Sequence, residues 1–228
     1  MTRSAILTLL GGTLVLVTLL ALARAEPQGE SGKDAQEKPA AKKEKAGPKP
    51  KVGTVAGVVK NRWLRREKAL MHVGTIKGMK FPAPKEPAVM DQENLVFKPH
   101  VLVILKGTRV SFPNSDSVRH NVYSPAGSAK AFNLGTYDAG VTKDLVFNEP
   151  GEVALLCNVH AEMSAYIVIT ETPFFVWTDR KGAFRIENVP VGKRRIALWH
   201  ERFKPKAVVV EVHEGKTADV VFEKLKKR

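Results

Sequence analysis

Short apolar runs, broken at close intervals by turn residues, dominate the sequence from residue 53 onward. Val, Ile, Leu and Phe fill these runs, and Gly, Pro, Asn and Asp separate them. No long stretch keeps a helical period, and regular alternation of strand and turn is typical of β-sandwiches and barrels. The pattern predicts an all-β protein, with strands at residues 54–59, 69–73, 101–105, 109–112, 118–123, 141–147, 153–156, 165–170, 174–178, 183–186, 195–200, 207–213 and 218–222.

The first 52 residues follow a different pattern. Residues 1–25 combine a basic start, a long apolar run and the sequence Ala23-Arg24-Ala25, which predicts a signal peptide. The run approaches a membrane-spanning length, so retention as an N-terminal anchor stays open. Residues 26–52 contain hardly any large apolar side chain and are expected to form a disordered charged linker. We therefore expect a periplasmic or otherwise extracytoplasmic protein, either free or tethered to the membrane by its N-terminus.

The net charge of +14 is unevenly distributed. Residues 90–172 contain six basic and nine acidic residues, whereas residues 173–228 contain fourteen basic and seven acidic ones. Export and the lack of a basic surface with interleaved aromatic residues argue against nucleic acid as a partner. An acidic polymer, a membrane surface or an acidic protein fits the basic flanks, and a merely solvated Lys-rich surface is the alternative.

One stretch in the acidic middle contains soft metal ligands. Cys157 is the only cysteine of the chain, and His160 and Met163 follow it at steps of three residues. Two His, one Cys and a weak axial Met form a ligand set that suits copper. His120 is the best candidate for the second imidazole. It lies upstream in the same β-rich region, and the side chain of Asn121 next to it could support the ligand loop by hydrogen bonding.

Alternation along residues 153–157 puts Cys157 on the same face as Val153 and Leu155. The sulfur is therefore expected to point into the interior of a sandwich. Taken alone, a buried Cys is usually a small hydrophobic residue and a Met usually fills a gap in a core. The combination of all four candidate ligands in one β-protein that is expected to be exported favours the metal site.

Six short stretches in residues 90–172 carry a resemblance to a known family. They are Phe97-Lys98-Pro99-His100, Lys106-Gly107-Thr108, Phe112-Pro113-Asn114-Ser115-Asp116, His120-Asn121-Val122-Tyr123-Ser124, Pro150-Gly151 and the segment of residues 157–163. This region resembles the cupredoxins, and within them plastocyanin, amicyanin and the proteins similar to methylamine utilization protein.

The resemblance implies a Greek-key sandwich over residues 83–172 that binds one type 1 (blue) copper ion. Cys157 would then be the equatorial thiolate, His120 and His160 the equatorial imidazoles, and Met163 the axial thioether. The two residues between His160 and Met163 match the short ligand loop of amicyanin. Asn158 departs from the Thr or Ser that amicyanin and plastocyanin commonly have beside the Cys.

The flanks of this region resemble a second family. The segment of residues 179–192 is similar to the middle of a carboxypeptidase regulatory-like domain, a small sandwich of prealbumin or immunoglobulin type, and residues 53–59 and 69–73 match its opening strands. We therefore predict a discontinuous domain of residues 53–82 and 173–224 into which the cupredoxin is inserted. Two separate strands added to the cupredoxin are the alternative.

Three functions are compatible with the sequence. The first is a one-electron carrier, expected to be a monomer that meets a redox partner protein. The second is a copper trafficking or sensing module that uses the same ligands. The third is a surface interaction protein with a vestigial copper site. An enzyme is not expected, because the remaining histidines are scattered without the spacing of a second copper centre.

Overall fold

The computed structural model describes residues 50–65 and 67–228. The predicted signal peptide and nearly all of the predicted linker lie outside the described residues, so both stay predictions. None of the described residues forms a helix with the length and hydrophobicity that a membrane crossing needs.

β-Strands are the main regular structure in the described part of the chain, so the predicted all-β fold is confirmed. The strands are β1 (Val52–Val59), β2 (Leu70–Val73), β3 (Ala88–Val89), β4 (Asp91–Glu93), β5 (Val96–Lys98), β6 (Val101–Leu105), β7 (Thr108–Pro113), β8 (His120–Ser124), β9 (Phe132–Tyr137), β10 (Thr142–Phe147), β11 (Gly151–Leu156), β12 (Ser164–Thr170), β13 (Phe175–Trp177), β14 (Ala183–Pro190), β15 (Gly192–His200), β16 (Phe203–Val212) and β17 (Thr217–Phe222). A short 3₁₀-helix, Arg62–Arg65, follows β1.

The structure adds strands that the hydrophobic pattern does not predict. The short strands β3, β4 and β5 and the strand β9 were not expected. The strand predicted to begin at residue 118 begins at His120 instead, so this side chain stands at the first position of β8.

One β-sandwich is built from the two ends of the described chain. Its sheets have the strand orders β14-β1-β17 and β13-β2-β15-β16. Val55 and Phe222 from the first sheet and Met71 and Ile196 from the second are fully buried members of one apolar cluster. Since alternate residues of each strand point inward, the other faces of these strands remain for solvent and for the rest of the protein.

A second β-sandwich lies between these segments in sequence. A five-stranded sheet, β6-β12-β11-β8-β9, and a three-stranded sheet, β10-β7-β3, enclose a cluster of buried side chains drawn from residues 90–169. β11 pairs with both β8 and β12 and is antiparallel to each. The end of β11 and the starts of β8 and β12 therefore meet at one end of the sheet, which is where the candidate site lies.

The two sandwiches touch through a small apolar cluster and a polar contact beside it. Leu70 and Trp199 of the first sandwich are buried against Val168 of the second. Next to them, Trp199 Nε1 donates to Glu152 Oε2 at 2.6 Å, and the guanidinium of Arg228 donates to the same carboxylate.

Candidate metal centre

The ligand loop connects β11 to β12. Cys157 comes directly after β11 and is buried, as are Val153 and Leu155 on the same face of the strand. The loop is closed by two backbone hydrogen bonds, from Met163 N–H to His160 O at 3.0 Å and from Cys157 N–H to Met163 O at 3.3 Å. The turn therefore brings the three predicted ligands of this segment to the same end of the sheet.

The structure brings His120, Cys157 and His160 together. One ring nitrogen of each imidazole and the Cys157 Sγ lie within 4.8 Å of one another. The two Nδ1 atoms of the histidines are 3.0 Å apart. Met163 is fully buried in the same apolar cluster as Cys157. Two ring nitrogens and a sulfur that face one another across so small a space form a geometry that suits a single metal ion.

The hydrogen bonds of His120 fix which of its nitrogens is free. Nε2 lies 2.7 Å from Asp116 Oδ2, and the imidazole is fully buried. A carboxylate oxygen only accepts hydrogen bonds, so Nε2 carries a proton, and in the neutral form of the ring Nδ1 keeps its lone pair. That lone pair points towards His160 Nδ1, where a shared cation would satisfy both nitrogens. The residues therefore fit a bound metal ion.

Asp116 is itself held by a neighbouring turn. The backbone N–H groups of Asn94 and Leu95 donate to its two oxygens at 2.6 and 2.9 Å. Burial by itself raises the pKa of Asp116, but the hydrogen bonds from Leu95, His120 and Asn94 outweigh this and hold the pKa below its ordinary value. The carboxylate is thus charged where it meets the imidazole.

Asn121 supports the site in a different way from the one expected. Its backbone N–H points to Cys157 Sγ at 3.4 Å, but its side-chain amide donates to Asn133 Oδ1 at 2.9 Å in β9 and not to the ligand loop. Asn133 Oδ1 also accepts from Gly135 N–H. The physical reason is that β9, which the sequence does not predict, pairs with β8 and brings Asn133 within hydrogen-bond distance of this side chain.

The outer side of the centre is partly open. His120 is fully buried, whereas His160 is partly exposed and Val159 beside it is 47% exposed. The edge of the His160 ring is therefore the part of the centre that another molecule can reach.

Two residues at the centre were not singled out by the sequence. Asp116 lies within a stretch that carries the cupredoxin resemblance. Its position four residues before the candidate ligand His120 is the sequence signal for a supporting role. Asn133 gives no such signal, because its contact with Asn121 depends on the pairing of β8 with β9.

Neither a protein-family model nor a curated protein matches the sequence. Solved structures of cupredoxin type do show similarity to part of the chain. A copper-containing nitrite reductase from Thermus scotoductus SA-01 is 26% identical with a TM-score of 0.37, and the match covers 43% of this chain and 25% of that one. The chain thus spans about a quarter of the length of that enzyme.

Two smaller proteins are matched over nearly their whole length. A purple cupredoxin from Nitrosopumilus maritimus is 26% identical with a TM-score of 0.33, covering 36% of this chain and 99% of that one. A reduced Cu(I) form of an amicyanin variant is 20% identical with a TM-score of 0.35, covering 43% of this chain and 97% of that one. With TM-scores this low, the similarities establish neither a family nor a function, and they lend no support to the regulatory-like resemblance of the flanks.

Proposed function

We propose that the protein is an extracytoplasmic type 1 copper protein that carries single electrons. The observation that supports this most directly is the meeting of His120 Nδ1, His160 and the Cys157 thiol within 4.8 Å, with the proton of His120 held on the far nitrogen by Asp116. Met163, buried beside them, would supply the weak fourth ligand. Thiolate, thioether and imidazole together favour copper over hard cations.

A bound copper ion would supply one-electron chemistry by alternating between Cu(I) and Cu(II). The chain supplies the rest. Cys157 is placed by the end of β11 and receives the Asn121 N–H, so its sulfur has little freedom to move. His120 is fixed by burial and by Asp116. Ligands that move little between oxidation states lower the reorganisation needed for electron transfer. The exposed edge of His160 would be the point of contact with a redox partner protein.

We propose a carrier and not an enzyme. Two of the other histidines already serve structural contacts. His100 Nε2 lies 2.8 Å from Glu201 Oε2, and His200 Nδ1 accepts from the backbone N–H of Arg202 at 3.1 Å. Both lie at the junction of the two sandwiches, among the residues that line a cleft of about 500 Å³.

We propose further that the chain is a cupredoxin domain of residues 83–172 inserted into a regulatory-like sandwich of residues 53–82 and 173–224. The separate apolar clusters support this division, since one draws on residues 55–76 and 184–222 and the other on residues 90–169. Residues 1–25 would direct export or anchor the protein. Residues 26–52 would be a tether that precedes both domains.

The copper proposal is tested by loading the purified protein with one equivalent of Cu(II). We expect an intense blue absorption from thiolate-to-Cu(II) charge transfer, reversible bleaching by a mild reductant, and a reversible redox wave. Cys157→Ser and His160→Gln should abolish the colour, whereas His213→Gln, an exposed histidine of the other sandwich, should keep it. A colourless Cu(II) form of the wild type would refute the proposal. Blue protein without a reversible wave would indicate copper trafficking instead.

A further inference from the structure

Three hydrogen-bond donors converge on the carboxylate of Asp116. Two are backbone N–H groups, those of Asn94 and Leu95, and the third is Nε2 of His120. The Asp116 side chain is 12% exposed and the His120 side chain 0%. Hydrogen bonds to a charged group are strongest where water is excluded. This carboxylate therefore binds the buried imidazole firmly.

We infer that Asp116 is a positioning residue that sets which nitrogen of His120 faces the metal and how strongly that nitrogen binds. The inference rests on the copper centre proposed above. A carboxylate that accepts the far ring N–H fixes the tautomer and the ring orientation of a ligating His and makes its other nitrogen a better donor. The negative charge of this partly buried carboxylate also favours the more positive oxidation state of a bound ion. Asp116 should therefore lower the reduction potential.

The turn that holds Asp116 has an unusual backbone. Asn94 and Leu95 both have left-handed conformations, with φ of 58° and 59°. They join β4 to β5 as the two central residues of a tight hairpin, and a turn with positive φ at both positions usually has Gly second. A leucine there is unfavourable by itself. The conformation points two successive N–H groups at one carboxylate, and the charged hydrogen bonds offset the unfavourable backbone.

Further contacts tie the hairpin to the loop that contains Asp116. Ser115 Oγ donates to Asp91 Oδ2 at 2.8 Å, and Ser115 N–H donates to Gln92 O at 2.9 Å. The side chain of Gln92 is buried and donates to Pro113 O at 2.9 Å. Asp116 is thus held by a rigid hairpin on one side and holds His120 on the other, which is the arrangement that a positioning residue needs.

The tautomer can be measured without any metal. Long-range ¹H–¹⁵N NMR of the metal-free wild-type protein at neutral pH should show His120 as the tautomer protonated at Nε2. This measurement needs no variant, so it does not depend on whether a substituted protein folds. Protonation mainly at Nδ1 would overturn the inference, while the blue colour of the copper-loaded protein would be a separate result.

The effect on the metal is measured with Asp116→Asn in the copper-loaded protein. Loss of such a partner typically weakens metal binding by about 10–100-fold. We expect the loss to be larger for Cu(II), so the reduction potential should rise, by about 59 mV for each tenfold preferential loss. Asp138→Asn is the matched control, because Asp138 is 71% exposed and pairs with Arg119 at the surface. It should leave the potential unchanged.

The possible outcomes separate the two proposals. If the wild type is blue and redox-active but Asp116→Asn has the same potential and the same Cu(II) affinity as Asp138→Asn, the role of Asp116 is refuted and the copper proposal stands. If the wild type does not form a blue centre with copper, the proposed function fails, and the tautomer of His120 in the metal-free protein is still measured separately. A raised potential with weaker Cu(II) binding in Asp116→Asn alone supports the inference.

Discussion

Glu152 and Arg228 form a carboxylate–guanidinium pair that joins the two β-sandwiches. Both terminal nitrogens of Arg228 donate to the carboxylate of Glu152, one of them at 2.8 Å, and Trp199 Nε1 donates to it as well. Glu152 stands in β11, the strand that leads to Cys157. The strand that positions the thiolate is thus fastened to the other sandwich by three hydrogen bonds.

Replacing Glu152 should weaken this junction. The side chains of Glu152 and Arg228 are 24% and 36% exposed, so solvent screens part of the attraction. We expect Glu152→Ala to lower the free energy of unfolding by about 1 kcal/mol, which is less than the roughly 1.5–3 kcal/mol of a hydrogen bond to a charged group because of this screening. Chemical denaturation of the full chain measures this loss.

The matched control is Glu214→Ala. Glu214 forms a well-exposed surface pair with Lys51, at 2.8 Å, and such pairs contribute little to stability. Equal denaturation midpoints for the Glu152 and Glu214 variants would contradict a stabilising role for the junction.

His200 should make the metal-free protein sensitive to acid. The side chain is 2% exposed. Burial is the main cause that lowers the pKa of His200 from the ordinary 6.5. The carboxylates of Glu67 and Glu201 act in the opposite direction, and nearby arginines lower the pKa further. Above pH 6.5 the ring is neutral in both the folded and the unfolded chain. Below it, the unfolded chain takes up a proton that the folded chain refuses, so the free energy of unfolding falls.

The decrease from His200 should be at most about 1.4 kcal/mol per pH unit. It is measured by thermal unfolding of the metal-free protein between neutral pH and pH 5. His200→Gln should flatten the dependence, whereas His213→Gln, in which an exposed ring is replaced, should not. If the pH dependence of stability is unchanged in His200→Gln, His200 does not cause it. His72 would then be the next candidate, because burial lowers its pKa as well.

The ligand loop could be predicted from the sequence because its information is local. Cys157, His160 and Met163 follow a strand that alternation identifies, and the turn between them spans only a few residues. The inward face of Cys157 follows from the same alternation and is present in the structure, where the residue is buried with Val153 and Leu155.

The support of the ligands could not be predicted because it comes from strands with weak local signals. β4 and β5 have three residues each, and β9 contains Gly135 with φ of 71°. Glycine inside a strand weakens the strand pattern. Without β9 there is no Asn133 to draw the side chain of Asn121 away from the ligand loop, and without the β4–β5 turn there is nothing to hold Asp116.

Leu95→Gly should stabilise the protein. A left-handed conformation costs a residue with a side chain about 1–2 kcal/mol, while glycine adds about 0.4–1 kcal/mol of conformational freedom to the unfolded chain. Leu95 is 40% exposed, and the loss of the covered part of its side chain offsets some of this gain. We expect a net gain of about 0.5 kcal/mol in the free energy of unfolding, with the backbone N–H still able to reach Asp116.

The neighbouring Val96→Gly is the control for this prediction. Val96 is similarly exposed, at 45%, but it lies in β5 with an ordinary strand backbone. Glycine there should destabilise, because it removes strand propensity without relieving an unfavourable φ. The account of the turn is wrong if both variants destabilise equally.

Met163→Leu should change the redox properties of the copper-loaded protein more than its stability. Met163 is fully buried, and leucine has a similar volume and no polar atom, so exchanges of this kind in a core usually cost less than about 1.5 kcal/mol. The thioether would be the weak axial ligand, and the axial ligand tunes the potential of such centres. Its removal should disfavour Cu(II) and raise the potential, by about 59 mV for each tenfold loss of preference.

Cyclic voltammetry and the visible spectrum measure the effect of Met163→Leu. The control is Met90→Leu, in which an equally buried methionine outside the ligand loop is replaced. If both leucine variants have the wild-type potential, Met163 is a packing residue and the centre has only the three ligands His120, Cys157 and His160.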